Sequence, residues 1–171
     1  MTAIPAKRTV IRPATEADLG AMVRLLADLF SIEADFKADA RRQRRGLALM
    51  LEEPARRAVL VAERSGRIVG MVTVQLVVST AEGAPSGWVE DMVVERAERR
   101  RGLGRRLLVS AEHWALEQGA TRLQLLADRA NLRALRFYRR MGWGGTQLVC
   151  LRRGGAPGER TAAARRGGRR A

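Results

Sequence analysis

The stretch Trp88 to Gly104, WVEDMVVERAERRRGLG, constrains what this chain can fold into more than any other. Trp88 to Val94 reads as a buried strand, a polar turn follows, and Arg99-Arg100-Arg101-Gly102-Leu103-Gly104 is a loop of the form R-x-x-G-x-G. An amphipathic helix then runs from Gly104 to Gln118, with Leu107, Leu108, Ala111 and Ala115 as its apolar stripe and Gly119 as its stop. Two glycines let the backbone pass close to a ligand, because no Cβ stands in the way. A helix that starts at that point aims unpaired N–H groups and the positive end of its dipole at whatever sits there. Phosphate suits that geometry best, and the surrounding arginines add charge-assisted hydrogen bonds.

Several settings accommodate such a loop. A capped surface loop is the plainest. A dinucleotide-binding fold shares the Gly-x-Gly, the following helix and strand, and an acidic residue at Asp128. Its third glycine is missing, since Leu107 stands in that place, the glycines come well after the strand, and no complete second strand–helix–strand half follows. A Walker loop is excluded because no Gly-Lys-Ser/Thr is present. A capped loop and a phosphate-binding loop both remain open on these residues alone.

A second constellation lies downstream, Asn131-x-x-Ala134-x-x-Phe137-Tyr138-x-x-x-Gly142-Trp143. Asn131 and Tyr138 share a helix face at a separation of about 10.5 Å along the axis, which suits two contacts on one extended ligand. An N-cap asparagine and an aromatic core residue would produce the same pattern.

Together, the glycine loop and this helix resemble the coenzyme A site of the GNAT superfamily of acetyl-CoA-dependent N-acetyltransferases. The resemblance covers about Thr9 to Leu151 and includes the opening IRPATEADL. It implies a mixed α/β, mostly antiparallel twisted sheet of about six to seven strands with helices on both faces. It also implies acetyl-CoA as cofactor, held by Arg99, Arg100, Arg101, Gly102, Leu103, Gly104 and Arg105 at its pyrophosphate. Met92, Val93 and Val94 on the splayed strand, with Asn131, Ala134 and Phe137, would line the pantetheine arm. By the same resemblance Tyr138 stands near the thiol and protonates it. Many relatives carry a further glycine where this chain has Arg100.

Direct attack of a primary amine on a thioester needs a base, because alkylammonium groups are mostly charged at neutral pH. It also needs a donor for the developing oxyanion, and an N–H near Met92 or Val93 can serve. Glu90, twelve residues before Gly102, matches the acidic position of several superfamily enzymes. Strand alternation sends Glu90 and its neighbour Asp91 to opposite faces unless a bulge intervenes. An ion pair with a nearby arginine is the structural alternative for Glu90. The resemblance further implies an acceptor pocket walled by Glu33, Asp35 and Phe36 between the first two helices and by Glu82 before the central strand, with Glu90 at its base. These carboxylates favour a cationic small molecule or peptide amine, provided that none of Arg41, Arg42, Arg44 and Arg45 turns inward.

The remaining features bound the function. At 171 residues the chain is one domain, 1–152, with a tail 153–171 of Gly, Ala, Pro and Arg that reads as disordered. The tail supplies +5 of the net +14, and thirty of the thirty-two cations are arginine, so the charge is weak ground for a nucleic-acid partner. One Tyr and three Phe leave few platforms for stacking bases. An acyl-CoA-binding module without catalysis is the alternative reading, against which Tyr138 and Glu90 count. No signal peptide or membrane span is evident, which favours the cytoplasm, and a homodimer is compatible. No metal-ligand spacing occurs. The single histidine, His113, lies off its helix's apolar stripe, and the single Cys150 is expected in the core of a last strand, Thr146 to Leu151.

Overall fold

The computed structural model describes residues 9–32 and 37–152. Its elements run β1 (Thr9–Pro13), α1 (Leu19–Phe30), α2 (Ala40–Leu51), β2 (Arg57–Arg64), β3 (Arg67–Ser79), β4 (Ala84–Val94), α3 (Leu103–Glu117), β5 (Leu123–Leu125) and α4 (Leu132–Arg140). The sheet order is β1-β2-β3-β4-β5. Every neighbouring pair is antiparallel except β4 and β5, which α3 connects as a parallel pair.

Period-two alternation along β2 and β3 builds two cores, one on each face of the sheet. On one face Met22, Leu25 and Leu26 of α1 and Leu47 of α2 pack with Val59, Val61, Met71 and Val93. On the other, Leu107, Leu108, Ala111 and Ala115 of α3 cover Leu60, Ala62, Val72, Val74 and Val89. The mixed sheet with helices on both faces is therefore as the sequence leads one to expect, but it has five strands among the described residues, fewer than the six to seven expected.

Two sequence expectations are corrected here. Residues 146–151 form no strand, and Leu148 and Leu151 are 86% and 90% exposed, because no neighbouring strand receives them. Cys150 is accordingly exposed and not a core residue. By sequence Gly83, Pro85 and Gly87 mark a turn leading into the strand at Trp88, but Pro85 and Gly87 lie inside β4 opposite Val78 and Leu76. Gly87 is there for packing: a Cβ on it would come within 3.0 Å of Leu123 Cγ and 3.2 Å of Ala115 Cβ. The disordered-tail expectation for 153–171 lies outside the described residues.

The start of α1 is tied to the sheet by charge. Arg12 on β1 donates to both oxygens of buried Asp18 at 2.7 and 3.0 Å and to Glu63 of β2 at 2.7 Å. The Thr15 N–H donates to the same carboxylate at 2.8 Å, closing a capping box ahead of the helix. These bonds, the Arg12 pair first, hold the Asp18 carboxyl down to about 2 against the opposing effect of burial. A depressed carboxyl contributes stability that is fully present above its ordinary value and is lost as pH falls through the folded value. Asp18→Asn should therefore lower the unfolding free energy by about 2 kcal/mol at neutral pH. In urea titrations that deficit should shrink as pH falls from about 4 to about 2; an equal deficit at both ends would detach it from the ion pair.

Candidate active site

The centre of the site is an irregularity in β4. Thr73 pairs with Glu90 and Met71 with Val93, so Asp91 and Met92 together face the single residue Val72. This is a β-bulge, and its first residue, Asp91, takes a left-handed φ of 49°. Short polar residues tolerate that conformation better than most. The extra residue resets the alternation. Glu90 and Asp91 both border the cleft on the α1–α2 face, while Met92 packs with the α3-side core and Val93 with the α1-side core. Opposite faces for the two carboxylates, the expectation for a regular strand, is thus corrected by the bulge.

The cleft has a volume of about 460 Å³. Leu26 and Phe30 of α1 and Leu47 and Met50 of α2 form its apolar walls, with Thr73, Glu90 and Asp91 at the sheet end. Glu90 is exposed and accepts a long hydrogen bond of 3.4 Å from Gln75 Nε2. It makes no ion pair with an arginine among the described residues. Arg57 at the rim is engaged, donating to the Leu49 carbonyl at 2.7 Å and to Glu53 at 2.9 Å. Arg41, Arg42, Arg44 and Arg45 are all exposed and none borders the cleft. Glu82 does not border it either: it accepts from Arg122 Nε at 2.7 Å and from the Thr121 hydroxyl at the β3–β4 turn. Glu33, Asp35 and Phe36 lie outside the described residues.

On the opposite face, the parallel ladder between β4 and β5 ends at Val89 and Leu125. From Glu90 to Val94 the β4 edge therefore has no β5 partner, and α4 stands nearby. Asn131 caps α4, its Oδ1 accepting the Ala134 N–H at 3.1 Å, so the capping role is the one the structure displays. The half-buried Tyr138 ring packs edge-on to Phe137 at 5.3 Å between centroids and lies 6.0 Å from Trp143. Its hydroxyl points to Met92 Sδ at 3.8 Å, which brings it against the bulge from the side opposite the carboxylates.

Between β4 and α3 the chain makes one 3-10 turn, Arg96–Glu98, pinned by Glu98 to Arg64 and by Glu95 to Arg67. Arg99 Nε donates to the Val94 carbonyl at 2.8 Å, folding the loop back on the end of β4. Arg100 has a φ of 62° and Gly102 a φ of 77°. The first is a left-handed non-glycine residue, at a cost of about 1 kcal/mol. The first N–H of α3 to find a helix carbonyl is that of Arg106, bonded to Gly102 O at 3.1 Å. The N–H groups of Leu103, Gly104 and Arg105 are thus left for a ligand, beside the exposed side chains of Arg100, Arg101 and Arg105. A Cβ on Gly104 would lie 3.3 Å from Met92 Cε and 3.7 Å from Phe137 Cζ. The glycine thereby lets helix start, β4 and α4 converge. The residues present fit an extended ligand with a phosphate group at the loop and a narrow arm along the open edge of β4.

His113 and Cys150 take no part; His113 pairs with Glu117 at 3.1 Å on the exposed side of α3. Asp91 is a cleft carboxylate that sequence reasoning did not assign, because a bulge at a non-glycine residue leaves no mark in the pattern.

Comparison with known proteins gives one consistent result. Residues 21–143 match the model of a family described as the acetyltransferase (GNAT) family. Aminoalkylphosphonate N-acetyltransferase of Salmonella typhimurium is 30% identical over 133 residues, 78% of this chain and 83% of that protein. Aminoglycoside N(6')-acetyltransferase type 1 of Serratia marcescens is 28% identical over 107 residues, 61% of this chain and 73% of that one. The crystal structure of aminoglycoside N-acetyltransferase AAC(6')-Iy in complex with CoA superposes with a TM-score of 0.76 at 17% identity, covering 88% of this chain and 98% of the other, a likeness of fold.

Proposed function

Since the chain belongs to the GNAT acetyltransferase family and is thereby an acetyl-CoA-dependent N-acetyltransferase, we propose that it acetylates a primary amine that enters the α1–α2 cleft as a cation and reacts by direct attack. The observation that carries this reading is the β4 bulge, which sets the carboxylates of Glu90 and Asp91 on one side of the strand and Met92 with Tyr138 on the other. The small-molecule amines named for the two relatives support an amine of that kind here.

Acetyl-CoA supplies the acetyl group as a thioester when bound. In this proposal the N–H groups at the start of α3, with Arg99, Arg100, Arg101 and Arg105 about the loop, hold its pyrophosphate. Met92, Val93 and Val94 on one side and Asn131, Ala134 and Phe137 on the other border its arm. Glu90 attracts the ammonium and takes a proton from it, directly or through a water, and Asp91 adds a second negative charge beside it. A backbone N–H at Met92 or Val93 faces the oxygen that gains charge. Tyr138 gives its hydroxyl proton to the departing sulfur. Glu82 is withdrawn from the acceptor site, being held by Arg122.

The test is amine-dependent release of free thiol from acetyl-CoA. Glu90→Gln should lower kcat/KM by about 10- to 100-fold at neutral pH, and raising the pH, which deprotonates the amine in solution, should restore part of the loss. An unchanged kcat/KM would return Glu90 to a surface carboxylate. No helix among the described residues is long and apolar enough to cross a membrane.

A further inference from the structure

Along α2, Gln43, Gly46, Leu47 and Met50 turn toward the acceptor cleft at helical spacing, and only Gly46 brings no side chain. Glycine is among the poorest helix formers, and this one stands inside a twelve-residue helix, away from either cap. Its backbone needs no positive φ. Packing does not require it either, because a Cβ built there meets nothing within 4 Å. Gly46 is exposed and borders the cleft, so the space beside it is open. Leu26, Phe30, Leu47 and Met50 give the cleft an apolar wall, the carboxylates Glu90 and Asp91 are gathered at the sheet end, and Gln43, Arg57, Thr73 and Gln75 also line it.

We propose that the acceptor is a primary amine carried on an apolar body, with its ammonium at Glu90 and Asp91 and its body against the α1–α2 wall, and that the missing side chain at Gly46 sets the size of body admitted. The proposal rests on the N-acetyltransferase reading above and names the substrate class for it. A polyamine or an aminoglycoside would set further charged or hydroxyl groups against the apolar wall of Leu26, Phe30, Leu47 and Met50, leaving Gln43, Thr73 and Gln75 as the neutral polar side chains among the described residues that line the cleft. An aminoalkylphosphonate would bring its own negative charge beside the two carboxylates, with Arg57 at the rim already bonded to Glu53.

The experiment measures kcat/KM with acetyl-CoA for ethylamine, hexylamine, 2-phenylethylamine, spermidine, an aminoglycoside and 2-aminoethylphosphonate, on the full chain and on Gly46→Ala and Gly46→Leu. Hexylamine and 2-phenylethylamine should exceed the polar amines by about 10-fold or more, the scale of a few methylenes in an apolar pocket. Gly46→Leu should lower the hexylamine-to-ethylamine ratio by about 10-fold, and Gly46→Ala by a smaller factor in the same direction. Gly46→Ala should also raise Tm by about 3 °C, since the helix gains propensity and nothing clashes. Preference for a polar amine, a size ratio unmoved by both substitutions, or a lower Tm for Gly46→Ala would overturn the proposal. Absence of turnover with every amine would instead overturn the acetyltransferase reading on which it rests.

Discussion

Tyr138→Phe should lower kcat by about 100-fold or more while acetyl-CoA affinity changes little, the effect of losing a positioned proton donor. The substitution removes one oxygen and keeps the ring. Packing against Phe137 and Trp143 is therefore retained, and Trp143 remains anchored through its Nε1 donating to Glu112 at 3.0 Å. One contact of the hydroxyl is with Met92 Sδ, a weak acceptor at 3.8 Å. A large drop in kcat with near-native stability thus points to chemistry. Single-turnover mixing is the measurement of choice, because it isolates transfer from product release. An undiminished single-turnover rate would leave Tyr138 as a packing residue.

Gly104→Val should weaken acetyl-CoA binding by at least about 100-fold, a loss of about 3 kcal/mol. A Cβ there already lies 3.3 Å from Met92 Cε and 3.7 Å from Phe137 Cζ, so further carbons press on Met92, on Phe137 or on the start of α3 itself. Either the loop shifts away from β4 or a methyl stands where backbone N–H groups must meet phosphate. Gly102→Val acts by a different route. Nothing lies within 4 Å of a Cβ there, but φ is 77°, so a β-branched residue strains the turn itself. Calorimetric titration of folded Gly104→Val with acetyl-CoA decides the matter, and native affinity would remove the loop from the cofactor site.

The strand–loop–helix from Trp88 to Gly104 was legible because its signals are local: an apolar run, paired glycines, then a 3.6-residue stripe. Helix α1 and the stop at Gly119, where φ is 84°, were legible for the same reason. The features that escaped depend on contacts distant in sequence. Pro85 and Gly87 carry turn chemistry, yet β3 and the helix α3 draw them into a strand, and the Thr121 N–H bonds to the Pro85 carbonyl at 3.0 Å. Residues 146–151 carry strand-like composition with no strand to join among the described residues.

The site shows the same division. Glu90, Tyr138 and the loop were named through a family resemblance carried by motifs that lie along single elements. Glu82 was assigned from its charge and from the place of its loop in the resembled family, and Arg122, forty residues away in sequence, determines where that charge is held. Asp91 reaches the cleft only because the backbone enters the left-handed region at a non-glycine residue. Gly46 was unremarked within an arginine-rich helix, since its meaning depends on the open space beside it.

The central claim is that an amine on one side of the β4 bulge takes the acetyl group directly from a donor held on the other. Initial rates of thiol release, measured across a grid of acetyl-CoA and amine concentrations with the best amine of the panel, test it most directly. Direct transfer predicts reciprocal plots that intersect, one acetylated amine for each thiol released, and a protein of unchanged mass throughout. Parallel plots with an acetylated protein, or thiol release that does not depend on the amine, would contradict it.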